Sequence, residues 1–129
     1  MTRFLLNTDA LIDFSKGAEP ATSSILSWID GSEAVAVCAV TVLELYAGLT
    51  AEEASHWALF IVTLPYCDIS RDAARRAGQY RYTFARAGYQ LTTTDALLAA
   101  VALENEATLV TGNVKDFPMK NLSLLSLRS

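Results

Sequence analysis

Arg3-Phe4-Leu5-Leu6-Asn7-Thr8-Asp9-Ala10-Leu11-Ile12-Asp13 changes character in its middle. Residues 3–6 read as a strand, and residues 9–15 read as a short helix ended by Gly17 and Pro20. Between them stand three polar residues, Asn7, Thr8 and Asp9. A strand that turns into a helix through a polar hinge is the start of a βα unit, and the rest of the chain repeats that alternation.

Working outward, residues 21–28 form a second helical piece closed by Asp30-Gly31, and residues 34–39 form a valine-rich strand. Residues 41–47 and 52–63 read as helices, and 66–69 as a third strand. Ser70 caps a longer helix that runs to about Ala87, with Gly88 as its stop. Residues 89–91 are a short extended piece. Residues 95–104 form a helix that is apolar nearly all round and hence buried. Strands at 108–110 and 122–125 follow. No repeat, linker or low-complexity segment interrupts the pattern. Alternating strands and helices imply an α/β fold with parallel pairing and right-handed crossovers.

Ligands of such sheets sit beyond the carboxyl ends of the strands. The first strand is followed by Asn7, Thr8 and Asp9, the second by Thr41 and Glu44. The buried helix begins with Thr94 and Asp95, and the strand through Val110 leads to Thr111, Asn113 and Asp116. Each has an ordinary explanation. Thr41-Val42-Leu43-Glu44 has the form of a capping box. Asp9 and Asp95 suit helix starts, and Asn113 and Asp116 suit a turn before Phe117-Pro118. Capping and turns would scatter these residues over both ends of the sheet, whereas here they converge on one. Carboxylates delivered by separate strand ends suit hard divalent cations and phosphodiester hydrolysis.

Composition bounds the alternatives. With 129 residues, 52% of them apolar and 19% charged, the chain suits one globular domain. A net charge of −4 argues against a general nucleic-acid binder. However, Arg71, Arg75, Arg76, Arg81 and Arg86 cluster in one stretch, and bound cations would reverse the field near the acids. On a helical wheel Arg71, Arg75, Tyr82 and Arg86 form a solvent-facing stripe. Ala73, Ala77, Tyr80, Phe84 and Ala87 form the opposite, core-facing side. Cys38 and Cys67 read as buried thiols in a reducing cytoplasm. A lone His56 excludes Cys-His and Ser-His-Asp chemistry, and there is no glycine-rich phosphate loop. The apolar runs are too short to cross a membrane, and the start of the chain does not read as a signal peptide.

Four stretches then carry a resemblance: residues 4–13, 41–48, 94–100 and 109–117. In order and spacing they resemble PIN-domain toxins of the VapC type. The resemblance implies a PIN-like three-layer α/β/α sandwich with a mainly parallel central sheet, occupying residues 1–129. It implies a Mg²⁺- or Mn²⁺-dependent endoribonuclease of a type II toxin–antitoxin system, homodimeric and held inactive by a cognate antitoxin. On this reading Asn7, Glu44, Asp95 and Asp116 occupy the catalytic positions. Asn7, Asp95, Asn113 and Asp116 would bind metal. Thr8 and Thr111 match polar residues that line the same pocket and would meet the RNA, and Arg75 and Arg86 of the basic helix would contact RNA phosphates or an acidic antitoxin segment.

The departure is Asn7, where the family pattern has aspartate. An amide oxygen ligates weakly, carries no charge and cannot act as a base. Either a substitution silences a toxic enzyme here, or the chain is a naturally degenerate member. Asp9 could compensate only if it turned toward the site, and Asp13 falls outside the expected set. Two other classes compete with this reading. One is a non-catalytic PIN-fold module that binds RNA or protein. The other is a phospho-acceptor receiver, which lacks its adjacent acidic pair at Asn7-Thr8-Asp9.

Overall fold

The computed structural model of the chain describes residues 3–128. Met1, Thr2 and Ser129, the ends of the expected 1–129 unit, lie outside the described residues. Five strands, β1 (Arg3–Leu6), β2 (Ala34–Cys38), β3 (Tyr66–Cys67), β4 (Thr108–Thr111) and β5 (Leu124–Ser126), pair in parallel in the order β3-β2-β1-β4-β5. Six helices connect them: α1 (Thr8–Ser15), α2 (Ala21–Asp30), α3 (Ala39–Ala47), α4 (Ala51–Thr63), α5 (Arg71–Arg86) and α6 (Thr93–Glu104).

The pleat of β1 sorts the chain into three layers. Leu5 faces a core shared with α5 and α6, while Phe4 and Leu6 face a second core built by α1 to α4. Both Leu5 and Leu6 have 0% exposure, as expected for a central parallel strand covered on both faces. The parallel α/β arrangement read from the alternation, and the α/β/α sandwich that the resemblance implied, are therefore the observed fold. Leu98, Ala99, Ala100, Val101 and Ala102 of α6 are all fully buried. Three alanines let this helix lie close to α5 and the sheet, and burying Leu98 alone stabilises the fold by about 1.5–3 kcal/mol.

Several boundaries move, each for a local reason. The helix expected at 41–47 begins at Ala39, because the chain enters it directly from β2 with Cys38 as N-cap. Thr41 is consequently one turn inside the helix and is not a cap. Thr50 and Glu53 make the capping box of the next helix instead. The strand expected at 122–125 starts at Leu124, because Leu122 is spent as a buried anchor in the preceding turn. Residues 89–91, expected to be extended, pair with no strand. Helix α5 ends as predicted, with Gly88 at φ +84°. Ala73 and Ala77 are buried under it and Tyr80 and Phe84 pack on the core, but Ala87 lies past the helix end and is exposed.

Trp28, Trp57 and Phe60 are partly buried and pack on the second core. Trp28 stacks on Phe4 at 4.0 Å, and Phe14 gathers Phe60 and Trp57 at 5.1 and 6.0 Å. The apolar surface left open is mostly aliphatic, with Leu43, Leu59 and Val62 at 69–78% exposure. Cys38 and Cys67 are buried free thiols, paired in register across β2 and β3. Among the described residues no helix is long and apolar enough to cross a membrane.

Candidate active site

The strand order reverses its direction of growth between β1 and β4. The chain builds outward from β1 to β2 and β3 on one side, then to β4 and β5 on the other. A crevice opens at the carboxyl ends of strands flanking such a switch point. Asn7 leaves the end of β1 there, and Thr111 and Gly112 leave the end of β4.

Asn7 is the N-cap of α1. Its Oδ1 accepts from Thr8 N at 2.7 Å, and its Nδ2 donates to Thr111 Oγ1 at 3.1 Å. The amide thus joins the two strand ends. Thr8 Oγ1 donates to Glu44 Oε1 at 2.5 Å, which ties α3 to the same point. Thr41 Oγ1, fully buried, donates to the Leu6 carbonyl at 2.9 Å. That bond replaces the capping role its sequence pattern suggested and leaves Glu44 to face the crevice.

Asp9 turns toward the site. Its Oδ2 accepts from Gly112 N at 2.9 Å, Asn113 Nδ2 at 3.1 Å and Thr111 Oγ1 at 3.4 Å. Its Oδ1 is buried and has no hydrogen-bond partner. Asn113, at the head of a 3-10 turn (Val114–Asp116), also donates its backbone N–H to Thr111 Oγ1 at 3.1 Å. Asp116 closes that turn and is half-buried.

Asp95 lies at the third position of α6, where Thr92 is the N-cap and accepts from Asp95 N at 3.1 Å. It is therefore not itself the cap. Burial pushes its carboxyl above the ordinary carboxylate range. The Thr92 bond opposes that rise, and repulsion from Asp116, Glu44 and Asp9 adds to it. Four acids from four segments thus share one field. Tyr89 lies on the rim: its hydroxyl donates to the Lys115 carbonyl at 2.8 Å, and burial raises its pKa, with Asp116 and Asp95 contributing.

Among the described residues no group of three or more His, Cys, Asp or Glu side chains is arranged to hold a metal ion. The chemistry nonetheless fits a hard cation. The donors are oxygens, Asp9 Oδ1 is orphaned, and the crowded charge on Asp95 is what a cation relieves.

The expected RNA contacts Arg75 and Arg86 make their bonds along α5. Arg75 pairs with Asp72 and bonds Gln79, and Arg86 bonds the Tyr82 carbonyl and stacks on its ring at 3.4 Å. Arg81, off the predicted stripe, instead reaches the start of α6 and bonds the Leu91 carbonyl and Thr93 Oγ1 at 3.0 and 2.9 Å. Sequence pattern left Asp9 outside the expected set and did not single out Tyr89 or Arg81 for the site. Asp9 alone carried a signal, being one of the three polar residues after the first strand.

Residues 4–118 match the PIN domain family. Ribonuclease VapC19 of Mycobacterium tuberculosis is 29% identical over 116 residues, covering 89% of this chain and 92% of that protein. Among solved structures, VapBC2 of Rickettsia felis, bound to a DNA fragment from its promoter, superposes with a TM-score of 0.84 at 23% identity over 97% of this chain and 98% of that one. DNA-bound VapBC of Salmonella typhimurium gives 0.82 at 23% identity over 98% and 99%. At such identities these structures establish a shared fold.

Proposed function

The chain belongs to the PIN domain family, and from that premise we propose that it is an endoribonuclease toxin of a toxin–antitoxin pair whose activity is suppressed by Asn7. One observation carries the reading. Asp95 is crowded by Asp116, Glu44 and Asp9 at the carboxyl ends of β1 and β4. A structural role would disperse such charges, whereas a site for a divalent cation and a phosphodiester requires them together.

Asp95 and Asp116, with the amide oxygens of Asn7 and Asn113, would hold Mg²⁺ or Mn²⁺. When bound, the cation supplies a polarised water and charge to offset the phosphate. Glu44 is oriented by Thr8 through one oxygen, and its other oxygen would serve as the proton acceptor of the site. Thr8 and Thr111 line the floor of the crevice. Asn7 can neither take a proton nor offset cation charge, and the orphaned Asp9 Oδ1 is the nearest substitute in sequence.

Arg75 and Arg86 are proposed to meet RNA phosphates outside the crevice. In an Asn7→Asp background, replacing both with alanine is expected to raise KM severalfold with kcat unchanged, and to flatten the salt dependence of binding. Lower kcat at unchanged KM would move them into the chemistry. A cavity of about 320 Å³ is lined by Val37, Val42, Ile61, Leu64 and the exposed Val62 and Tyr66, and Leu43 on α3 and Leu59 on α4 are exposed as well. This apolar surface supports a homodimer and an antitoxin contact. Light scattering should give twice the monomer mass at micromolar concentration, and a monomer would remove the dimer from the proposal.

RNA cleavage by the chain and by its Asn7→Asp variant, each with Mn²⁺ and with EDTA, tests the whole reading. If the variant leaves diverse RNAs intact, the fold serves as a non-catalytic binding module.

A further inference from the structure

We propose that Arg128 is a positioning residue of the acidic site, seated by Asp13 and admitted by Gly112, so that the three form a clasp over the loop that leaves β4. Its effect on catalysis rests on the nuclease reading; the clasp does not.

Asp9 and Asp13 stand four residues apart on α1 and so face the same way. Asp9 grips the loop through the Gly112 N–H at 2.9 Å. One turn on, Asp13 takes both Nε and NH2 of Arg128, at 3.0 and 2.8 Å, in a two-pronged bond between residues 115 apart in sequence. The arm of Arg128 lies directly on Gly112. A Cβ added there would come within 2.5 Å of Arg128 Cδ and 2.8 Å of its Nε. Residue 112 is thus open to the arm only as glycine.

The tail is aimed at this place by its own anchors. Leu127 is buried in the second core and donates its N–H to the Thr111 carbonyl at 3.3 Å. Asp9 also contributes to holding Arg128 charged, after the larger effect of Asp13, so the guanidinium lies within the field of the site. The α1 carboxylates therefore hold the β4 loop from two sides, Asp9 from beneath and Asp13 through Arg128 from above. That loop carries Asn113 and leads to Asp116.

The side chains of Arg128 and Asp13 are 46% and 20% exposed. So exposed a pair adds little to global stability, and the consequence of breaking it should be confined to the loop. Three variants separate the contributions. Arg128→Ala removes the arm. Gly112→Ala keeps both charges but expels a flexible side chain. Arg128→Lys keeps the charge but cannot span both oxygens of Asp13.

Amide hydrogen exchange on the full chain reads the loop without any reaction. In all three variants the Asn113 N–H should exchange on the order of tenfold faster, while the Asn7 N–H, bonded to the Val110 carbonyl, keeps its parent rate. Unchanged Asn113 exchange in both alanine variants would overturn the clasp. So would equal acceleration at Asn7, which would mark general destabilisation. In an Asn7→Asp background, Arg128→Ala should lower kcat about tenfold with KM little changed. Full kcat with an opened loop would overturn the positioning role. If Asn7→Asp itself fails to cut RNA, the nuclease reading falls, and exchange alone decides the clasp.

Discussion

Asn7→Asp is expected to turn the chain into a Mn²⁺- or Mg²⁺-dependent ribonuclease at least about a hundredfold faster than the parent, an effect of a few kcal/mol in transition-state stabilisation. The reason is charge at one point. Residue 7 leaves the end of β1 at the switch point, between Thr8, which orients Glu44, and Thr111. A carboxylate there would add both a full negative charge and a stronger ligand.

The surroundings can accept the change. Asn7 Oδ1 keeps its bond to Thr8 N whichever side chain is present. On the other side the Thr111 hydroxyl now receives Asn7 Nδ2 and the Asn113 N–H, with a long contact to Asp9 at 3.4 Å. Facing an aspartate, the hydroxyl would turn and donate to it, giving up only that long contact. The variant should therefore fold like the parent, cut RNA, stop with EDTA, and slow growth when expressed without an antitoxin. Full activity in the unaltered chain would show that residue 7 does not control the site.

The second large effect is expected at Asp95, with opposite signs for stability and function. In the Asn7→Asp background Asp95→Asn should abolish cutting, as should Glu44→Gln. In the chain itself, in EDTA, Asp95→Asn should raise Tm at pH 7 by a few degrees, on the scale of about 4–8 °C per kcal/mol for small domains.

The sign follows from the raised pKa of Asp95, whose first cause is burial. The folded protein holds this proton more tightly than the unfolded chain, so stability falls as pH rises from the ordinary value of 3.8 through the higher folded value. Above that window the penalty is complete, and below 3.8 it vanishes. The gain from Asp95→Asn should vanish with it in acid. Loss of the favourable α6 dipole contact opposes the gain, but only by about 0.3–1 kcal/mol. Saturating Mn²⁺ should raise the Tm of the parent more than that of Asp95→Asn, because the variant loses one of the two carboxylates proposed to bind it. Equal shifts would place the metal elsewhere.

Asp13 has a partner in the fold that its place in the sequence does not announce. By sequence it lies outside the acidic set, and Asp13→Asn is the natural control. In the fold it holds Arg128 over Gly112, beside the site, which makes it unsuitable as a control. Nothing in the spacing of residues 9 and 13 could reveal this, because the partner comes from the far end of the chain.

Much of the molecule was legible in the order of its residues. Apolar periodicity marks the strands and helices, and their alternation dictates parallel pairing. The buried helix at 93–104 was visible as a run without a polar face. The sites of Glu44, Asp95 and Asp116 were legible because each follows a strand or opens a helix, and parallel topology puts those points on one edge. These are local properties, and local sequence determines them. Only the tertiary structure decided what each polar side chain does there. Thr41 looked like a cap but satisfies the Leu6 carbonyl, Asp9 looked like a cap but binds the β4 loop, and Arg81 rather than Arg75 reaches the start of α6. A hydrogen-bonding group is satisfied by whichever partner packing brings within reach, and for these residues the partner lies ten to more than a hundred positions away.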